Sequence, residues 1–398
     1  MKKLSAIERL AALNPGTEIW WDSSPLIYAG WRDELSATWH ERPVLLEALE
    51  QLGDLPNAQG REYPAQGLIR GSTTNPPLVW KAIEADRERW DTWTRHKALN
   101  ASSASDLTWS LYGEVCKRGA ALLEPIYRAS QGRYGHICAQ VDPRVLTGLD
   151  QMLAQARFLH DLADNIMIKM PATKEGIEGI RILIGEGIST TATLCFSVSQ
   201  LLAVAEAARL GFLSAASKRM NLTALRSCAA LMLGRMEEAP QFRQQAAELG
   251  LELSDADLRW AGIAVARKAY HIYRVRGYKT RLLCASMRLG PVVDGETRIW
   301  HLERLAGGEM VHTIFPNIMA SYLELYADRP IESSITDPVP EEVLDKLLRV
   351  PYFVQAYDEN ALVPEAYIDL PGVQITGGGF ATAMQTIEDY AAAILQTA

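Results

Sequence analysis

Short apolar runs alternate with helix-like stretches along most of the chain. Eight such runs predict strands at Glu18–Asp22, Gly67–Ser72, Gly135–Val141, Asn165–Met170, Thr190–Phe196, Arg226–Leu233, Arg281–Ala285 and Met310–Ile314. Between them apolar residues recur at helical spacing. Leu146, Leu149, Leu153, Ala156 and Leu159 share one face of Leu146–Leu162, and Ser197–Leu210 and Asp255–Tyr270 are patterned alike. Alternation of strand with helix predicts parallel strands joined by crossovers. Eight of them point to an α/β fold, a closed (β/α)8 TIM barrel, with a doubly wound open sheet as the competing arrangement.

Residues 1–330 are assigned to the barrel, with an insertion near 31–64 that reads as a helix with a loop. Leu4, Ile7, Leu10 and Leu13 repeat every three residues and read as a short docking helix. Residues 331–398 form a helical C-terminal extension packed on the barrel. It holds an amphipathic helix near Pro340–Val350 and a last helix at about Ala381–Leu395. Gly377-Gly378-Gly379 reads as a flexible turn or hinge, and it lacks the strand-before, helix-after setting of a dinucleotide loop.

The 398 residues carry a net charge of −8, which leaves no global basic field for nucleic acid but still allows a local anion site. The cysteines are Cys116, Cys138, Cys195, Cys228 and Cys284, odd in number, spread out and without a CxxC. That excludes a disulfide framework or a cysteine zinc site as the expectation. Glu8 and Arg9 interrupt the apolar start, so no secretory leader is expected, and no run of about 18 apolar residues predicts a membrane span. The expected compartment is the reduced cytoplasm.

In an α/β barrel the reactive groups lie at the C-terminal ends of the strands. The polar residues ending the eight runs are Asp22; Thr73 and Asn75; Gln140; Lys169; Thr193; Arg235; Ser286 and Arg288; and His312 and Thr313. Lys169 stands in an otherwise apolar strand. Alternation turns Ile166, Ile168 and Met170 to the helices and Asn165, Met167 and Lys169 to the interior. Burial disfavours the ammonium and lowers its pKa, and such an amine can attack a ketone or aldehyde to form a Schiff base. A strand-end lysine that snorkels to water is the bland alternative. By the same rule Gln140 points inward beside Lys169, and Thr191 and Thr193 fall inward with Cys195. Such a polar ring is either functional or a satisfied core network.

Thr73-Thr74-Asn75-Pro76 after an apolar strand resembles the transaldolase signature at the second strand. Lys169-Met170-Pro171-Ala172-Thr173-Lys174-Glu175-Gly176 is similar to the segment around that family's Schiff-base lysine. Glu186–Ser197 and Ala285-Ser286-Met287-Arg288 resemble its next strand and its phosphate-binding strand end. The resemblance runs over about residues 18–330, and the tail is similar to that of the longer bacterial transaldolases. It implies a class I aldol mechanism with no cofactor and no metal. Lys169 would form the imine, Asp22 would handle protons, Asn75 would hold the imine and substrate hydroxyls, and Thr193 would position a water. Arg235, Ser286 and Arg288 would cradle the phosphate of a small-molecule sugar phosphate, with Thr73 and Met232 also lining the substrate site.

Three positions depart from that pattern. Gln140 stands where the family normally has a glutamate, and a glutamine cannot exchange a proton at pH 7. The fructose-6-phosphate aldolase branch also has glutamine there but pairs it with a tyrosine, whose matching position here is Met232. Ala230 replaces a serine that helps hold substrate. The expected activity is transfer or cleavage of a three-carbon ketol unit. The alternatives are an aldol-type C–C bond-forming enzyme of specialised metabolism on a non-sugar substrate, and a non-catalytic binding paralogue.

Overall fold

A computed structural model describes residues 4–53 and 68–397. Eight parallel strands close into a barrel: β1 (Glu18–Trp21), β2 (Ile69–Ser72), β3 (His136–Gln140), β4 (Ile166–Pro171), β5 (Thr190–Cys195), β6 (Ser227–Met232), β7 (Arg281–Ala285) and β8 (Val311–Ile314). Each strand pairs with its neighbour in sequence, and β8 closes on β1, which rules out the open sheet. Gly67, expected to begin the second strand, lies outside the described residues. In the connection after β7, Val292–Val293 and Glu296–Thr297 add a small antiparallel ladder that the pattern did not announce.

The barrel is plugged at its base by a charged layer. Glu18 on β1 reaches across to Arg226, just before β6, at 2.7 Å, and also accepts from Trp20 Nε1 at 3.0 Å. Asn165, expected to face the interior, instead donates to the carbonyls of Ala120 and Gly135 at 2.9 Å each. It sits one residue before β4, where its amide ties the strand start to the helix Ala104–Ala129 and to the residue before β3.

Most helices extend the expected faces. Leu149–His160, Val198–Ser217 and Asp255–Arg276 fill three crossovers. Val198–Ser217 is long and apolar enough, by length and composition, to cross a membrane, although Glu206 and Arg209 interrupt its run. Here it is a barrel helix, with most of its side chains buried against its neighbours. The first helix, Ala6–Ala12, is opened by a Ser5–Glu8 capping box and buries Ile7 and Leu10, whereas Leu4 is exposed ahead of the cap. Within the span read as an insertion, helices occupy Tyr28–Thr38 and Pro43–Leu52, and residues 54–64 lie outside the described set.

Beyond β8 the chain forms helices Glu341–Leu347, Pro351–Tyr357 and Pro371–Leu395. The last one corrects the expectation of a hinge, because Gly377-Gly378-Gly379 lies inside a continuous helix. Tertiary packing overrides the poor helix propensity of glycine here. Buried Val373, Phe380, Met384, Ile387 and Ile394 anchor the helix on one side, and its start rests on the end of β5. A Cβ at Gly372 would fall 2.6 Å from the Phe196 ring, so only glycine allows that approach.

Candidate active site

Lys169 is buried near the end of β4, and register places it between Gln140 on β3 and Thr191 on β5. Pro171, two residues on, pairs with Thr193. Burial holds the Lys169 amine below the ordinary lysine range, against the pull of Cys138 and Asp22 towards the charged form. Asp22 follows β1 and is equally buried. Burial pushes its carboxyl up to about 6, although Lys169, the Thr73 hydrogen bond, Arg235 and Arg288 all favour the ionised form. The two groups make no ion pair within 4 Å among the described residues; each feels the other through the barrel interior.

Asp22 is held by a relay of hydroxyls. Thr73 Oγ1 donates to Asp22 Oδ1 at 2.5 Å and lies 2.8 Å from Thr313 Oγ1 on β8. Thr313 ended the last predicted strand but carried no assigned part. Its place beside Trp20 in the β1–β8 register puts it on the inner face. Asn75 caps the helix Pro76–Ala85, and its Oδ1 accepts from Leu78 N at 3.1 Å. Its NH2 group and one lone pair of Oδ1 remain for a substrate.

Gln140 Oε1 and Thr193 Oγ1 are buried and have no hydrogen-bond partner among the described residues. Unsatisfied groups of this kind call for a water or ligand. They come from the strands on either side of β4. Cys195, expected inward with them, is turned away. Leu194 adopts φ +61°, the β5–β6 register slips there, and Cys195 pairs with Leu231. Leu231 lies between Ala230 and Met232, which share the inner face of β6.

Arg235, Ser286 and Arg288 gather at the ends of β6 and β7. Arg235 lies on the short helix Leu233–Glu237, with its guanidinium 5.6 Å from the centroid of the Phe380 ring on the last helix. Gly234 N donates to Ser286 O at 3.0 Å. A Cβ on Gly234 would fall 2.4 Å from that oxygen, so glycine is needed for the two strand ends to meet. Ser286 itself sits at φ +60°, a strained conformation for serine that this contact holds in place. Met232 and Ala230 are buried beside the cradle and give it an apolar wall.

Two carboxylates behind this cradle were not anticipated. Glu237 Oε1 lies 2.7 Å from His301 Nε2, both fully buried, and Glu237 also pairs with Arg259. His301 Nδ1 accepts from Arg288 N at 3.0 Å, so the ring proton sits on Nε2 and goes to Glu237. Glu238 grips Arg288 through both carboxylate oxygens, at 2.8 and 2.9 Å. The available signal was the run Gly234-Arg235-Met236-Glu237-Glu238, with paired acids one turn after a candidate anion-binding arginine.

A buried amine with no ion-pair partner among the described residues thus stands near the C-terminal end of a strand of a (β/α)8 barrel, with a carboxyl of raised pKa in the same interior. The family model for Transaldolase/Fructose-6-phosphate aldolase matches residues 52–357, and the chain belongs to that family. Transaldolase of Thermobifida fusca (strain YX) is 31% identical over 214 residues, 53% of this chain and 57% of that protein. Transaldolase of Arthrobacter sp. (strain FB24) is 30% identical over 223 residues, 56% of this chain and 59% of that protein. Transaldolase 2 of Streptomyces avermitilis is 32% identical over 210 residues, 52% of this chain and 56% of that protein. The chain thus spans little more than half the length of the curated relatives it matches. Lys169, Asn75, Gln140, Thr193 and the cradle lie within the matched family span, and Asp22 lies before it.

Proposed function

We propose that the protein carries out Schiff-base aldol transfer or cleavage of a three-carbon ketol unit from a phosphorylated sugar, as a cytoplasmic enzyme of sugar phosphate metabolism. One observation carries the reading: the Lys169 amine is buried, held below its usual pKa, and flanked by polar atoms that find no partner among the described residues. The five cysteines are free and buried, which fits a reducing compartment.

Lys169 Nζ adds to the ketone carbon, and loss of water from the carbinolamine leaves the imine. Asp22, ionised above about pH 6, takes the proton of the hydroxyl beyond the scissile bond. The C–C bond electrons pass into the imine and give an enamine, while an aldehyde departs. The enamine then adds to a second aldehyde, whose oxygen takes the proton back from Asp22, or its carbon is protonated; in either case water hydrolyses the resulting imine and frees Lys169. The Asn75 NH2 group donates to substrate hydroxyls, and Gln140 and Thr193 hold the water that hydrates the imine. Thr73 fixes the Asp22 carboxylate through its 2.5 Å bond. Arg235, Ser286 and Arg288 take the phosphate, because guanidinium forks match its oxygens. Met232 and Ala230 line the site without adding hydroxyls.

Incubation with fructose 6-phosphate and borohydride is expected to add one substrate-sized mass to the intact protein and none to Lys169→Ala. Labelling that survives in Lys169→Ala would overturn the assignment. No labelling of the native protein by any ketose would favour a non-catalytic paralogue.

A further inference from the structure

The two guanidinium groups at the cradle are not in the same state. Arg288 gives Nε and Nη2 to the two oxygens of Glu238, at 2.8 and 2.9 Å. Its Nη1 goes to Ser286 O, Ser286 Oγ and Met287 O, at 3.0, 3.2 and 3.1 Å. The edge of the fork that would take a phosphate is therefore held by one of the protein's own anions. Arg235 has the Phe380 ring face and no carboxylate partner within ion-pair distance among the described residues. The two neighbouring acids also differ. Glu237 is fully buried and tied to His301 and Arg259, so it is part of the scaffold. The Glu238 side chain is 49% exposed, and Arg288 is its one ion-pair partner among the described residues, although its charge also acts on Arg235 from farther off.

We propose that Glu238 is a specificity-determining residue, an internal anion that keeps the Arg288 fork aligned in the empty site and is displaced by the substrate's phosphate. The proposal rests on the sugar phosphate reading above. A tethered carboxylate competes at high effective concentration, so an incoming group gains only if it outbids that contact. A phosphate carries about −1.5 to −2 charges and three acceptor oxygens, and it does so. A single carboxylate offers Arg288 nothing that Glu238 does not already supply. Glu238 thereby weakens phosphate uptake somewhat and makes the cradle choose dianionic over singly charged ends. The apolar wall of Met232 and Ala230 adds no competing donors to this choice.

The test is calorimetric titration of the full chain with inorganic phosphate, which needs no turnover. Glu238→Gln is expected to bind phosphate about fivefold more tightly, the scale of a half-exposed pair. Acetate, which the native protein should not bind measurably, should become a detectable ligand. Glu238→Ala should behave like Glu238→Gln. Glu359→Gln removes the same charge from the Arg276 pair and should leave phosphate affinity unchanged. Equal phosphate affinity in the native protein and Glu238→Gln, including no binding in either, would overturn the proposal. So would an equal gain in Glu359→Gln. Tightened phosphate binding without Lys169 labelling by fructose 6-phosphate would retire the catalytic reading and leave the competing anion standing.

Discussion

The base and the mouth of the barrel both bury charge, and they treat it differently. At the base, Glu18 meets Arg226 at 2.7 Å and takes a further hydrogen bond from Trp20. At the mouth, Lys169 and Asp22 are just as buried, yet neither has an ion-pair partner within 4 Å among the described residues. Their pKa values move towards each other instead, the amine down and the carboxyl up to about 6. The cradle stands between these extremes, with Arg288 paired and Arg235 not. Satisfied charge holds a structure together, whereas unsatisfied charge costs stability and remains available for chemistry.

The sharpest way to break this comparison is to remove one member from each layer. Glu18→Ala strands a buried Arg226 and should cost about 3–5 kcal/mol of stability. Lys169→Met removes a buried amine that has no ion-pair partner, and should leave stability unchanged or raise it by about 1 kcal/mol. Urea unfolding of both variants measures the difference. A Lys169→Met protein as destabilised as Glu18→Ala would mean that the mouth layer is structural after all.

A second test uses pH. Asp22 titrates near 3.9 in the unfolded chain and at about 6 in the folded one. Between those values the folded state keeps a proton that the unfolded state has lost. The stability this supplies is full below about pH 4 and is lost as pH rises through about 6. Two pKa units correspond to about 3 kcal/mol. Asp22→Asn stays neutral throughout, so its stability relative to the native protein should climb by up to that amount from pH 4 to pH 7. Buried His136 and His312, lowered to about 3 and about 4, lose their contribution in the opposite direction, as pH falls below 6.5. They are common to both proteins and cancel in the difference. Parallel stability curves would show that Asp22 titrates as a solvent carboxylate.

The contrast also marks what a sequence can reveal. Strand alternation turned Lys169, Gln140 and Thr193 to the same interior because period 2 is a local property. It failed at Cys195, where Leu194 at φ +61° breaks the period, and no residue type there announces a bulge. The glycine run read as a hinge because propensity is local, while the packing that holds Gly377 in the helix comes from Leu146 and Leu194, far away in the chain. Arg288 was legible as a residue at the end of β7, but Glu238 is fifty positions away in the chain. Only the parallel pairing of β6 with β7 brings their ends together, and with them the acid that competes for the fork.

The smallest expected effect comes from Gln140, one of the three positions that the sequence sets apart from the family it resembles. Gln140 pairs in register with Lys169, and its Oε1 has no partner among the described residues. Gln140→Glu keeps the shape and adds a group able to exchange protons. A positioned general acid or base contributes about 10²–10⁴-fold. The full factor is not expected here, since the new carboxylate would be buried with few donors besides Lys169. Its pKa would rise, and it would pull the lysine back towards the ammonium form. Exchange between fructose 6-phosphate and erythrose 4-phosphate should therefore be low in the native protein and rise about tenfold in the variant, near 1.4 kcal/mol of barrier. The optimum should also move to higher pH as the Lys169 pKa climbs. High native turnover that falls in Gln140→Glu would show that the neutral amide is the better partner for this lysine. The proton traffic would then run through Asp22 and a water on Thr193, without help from β3.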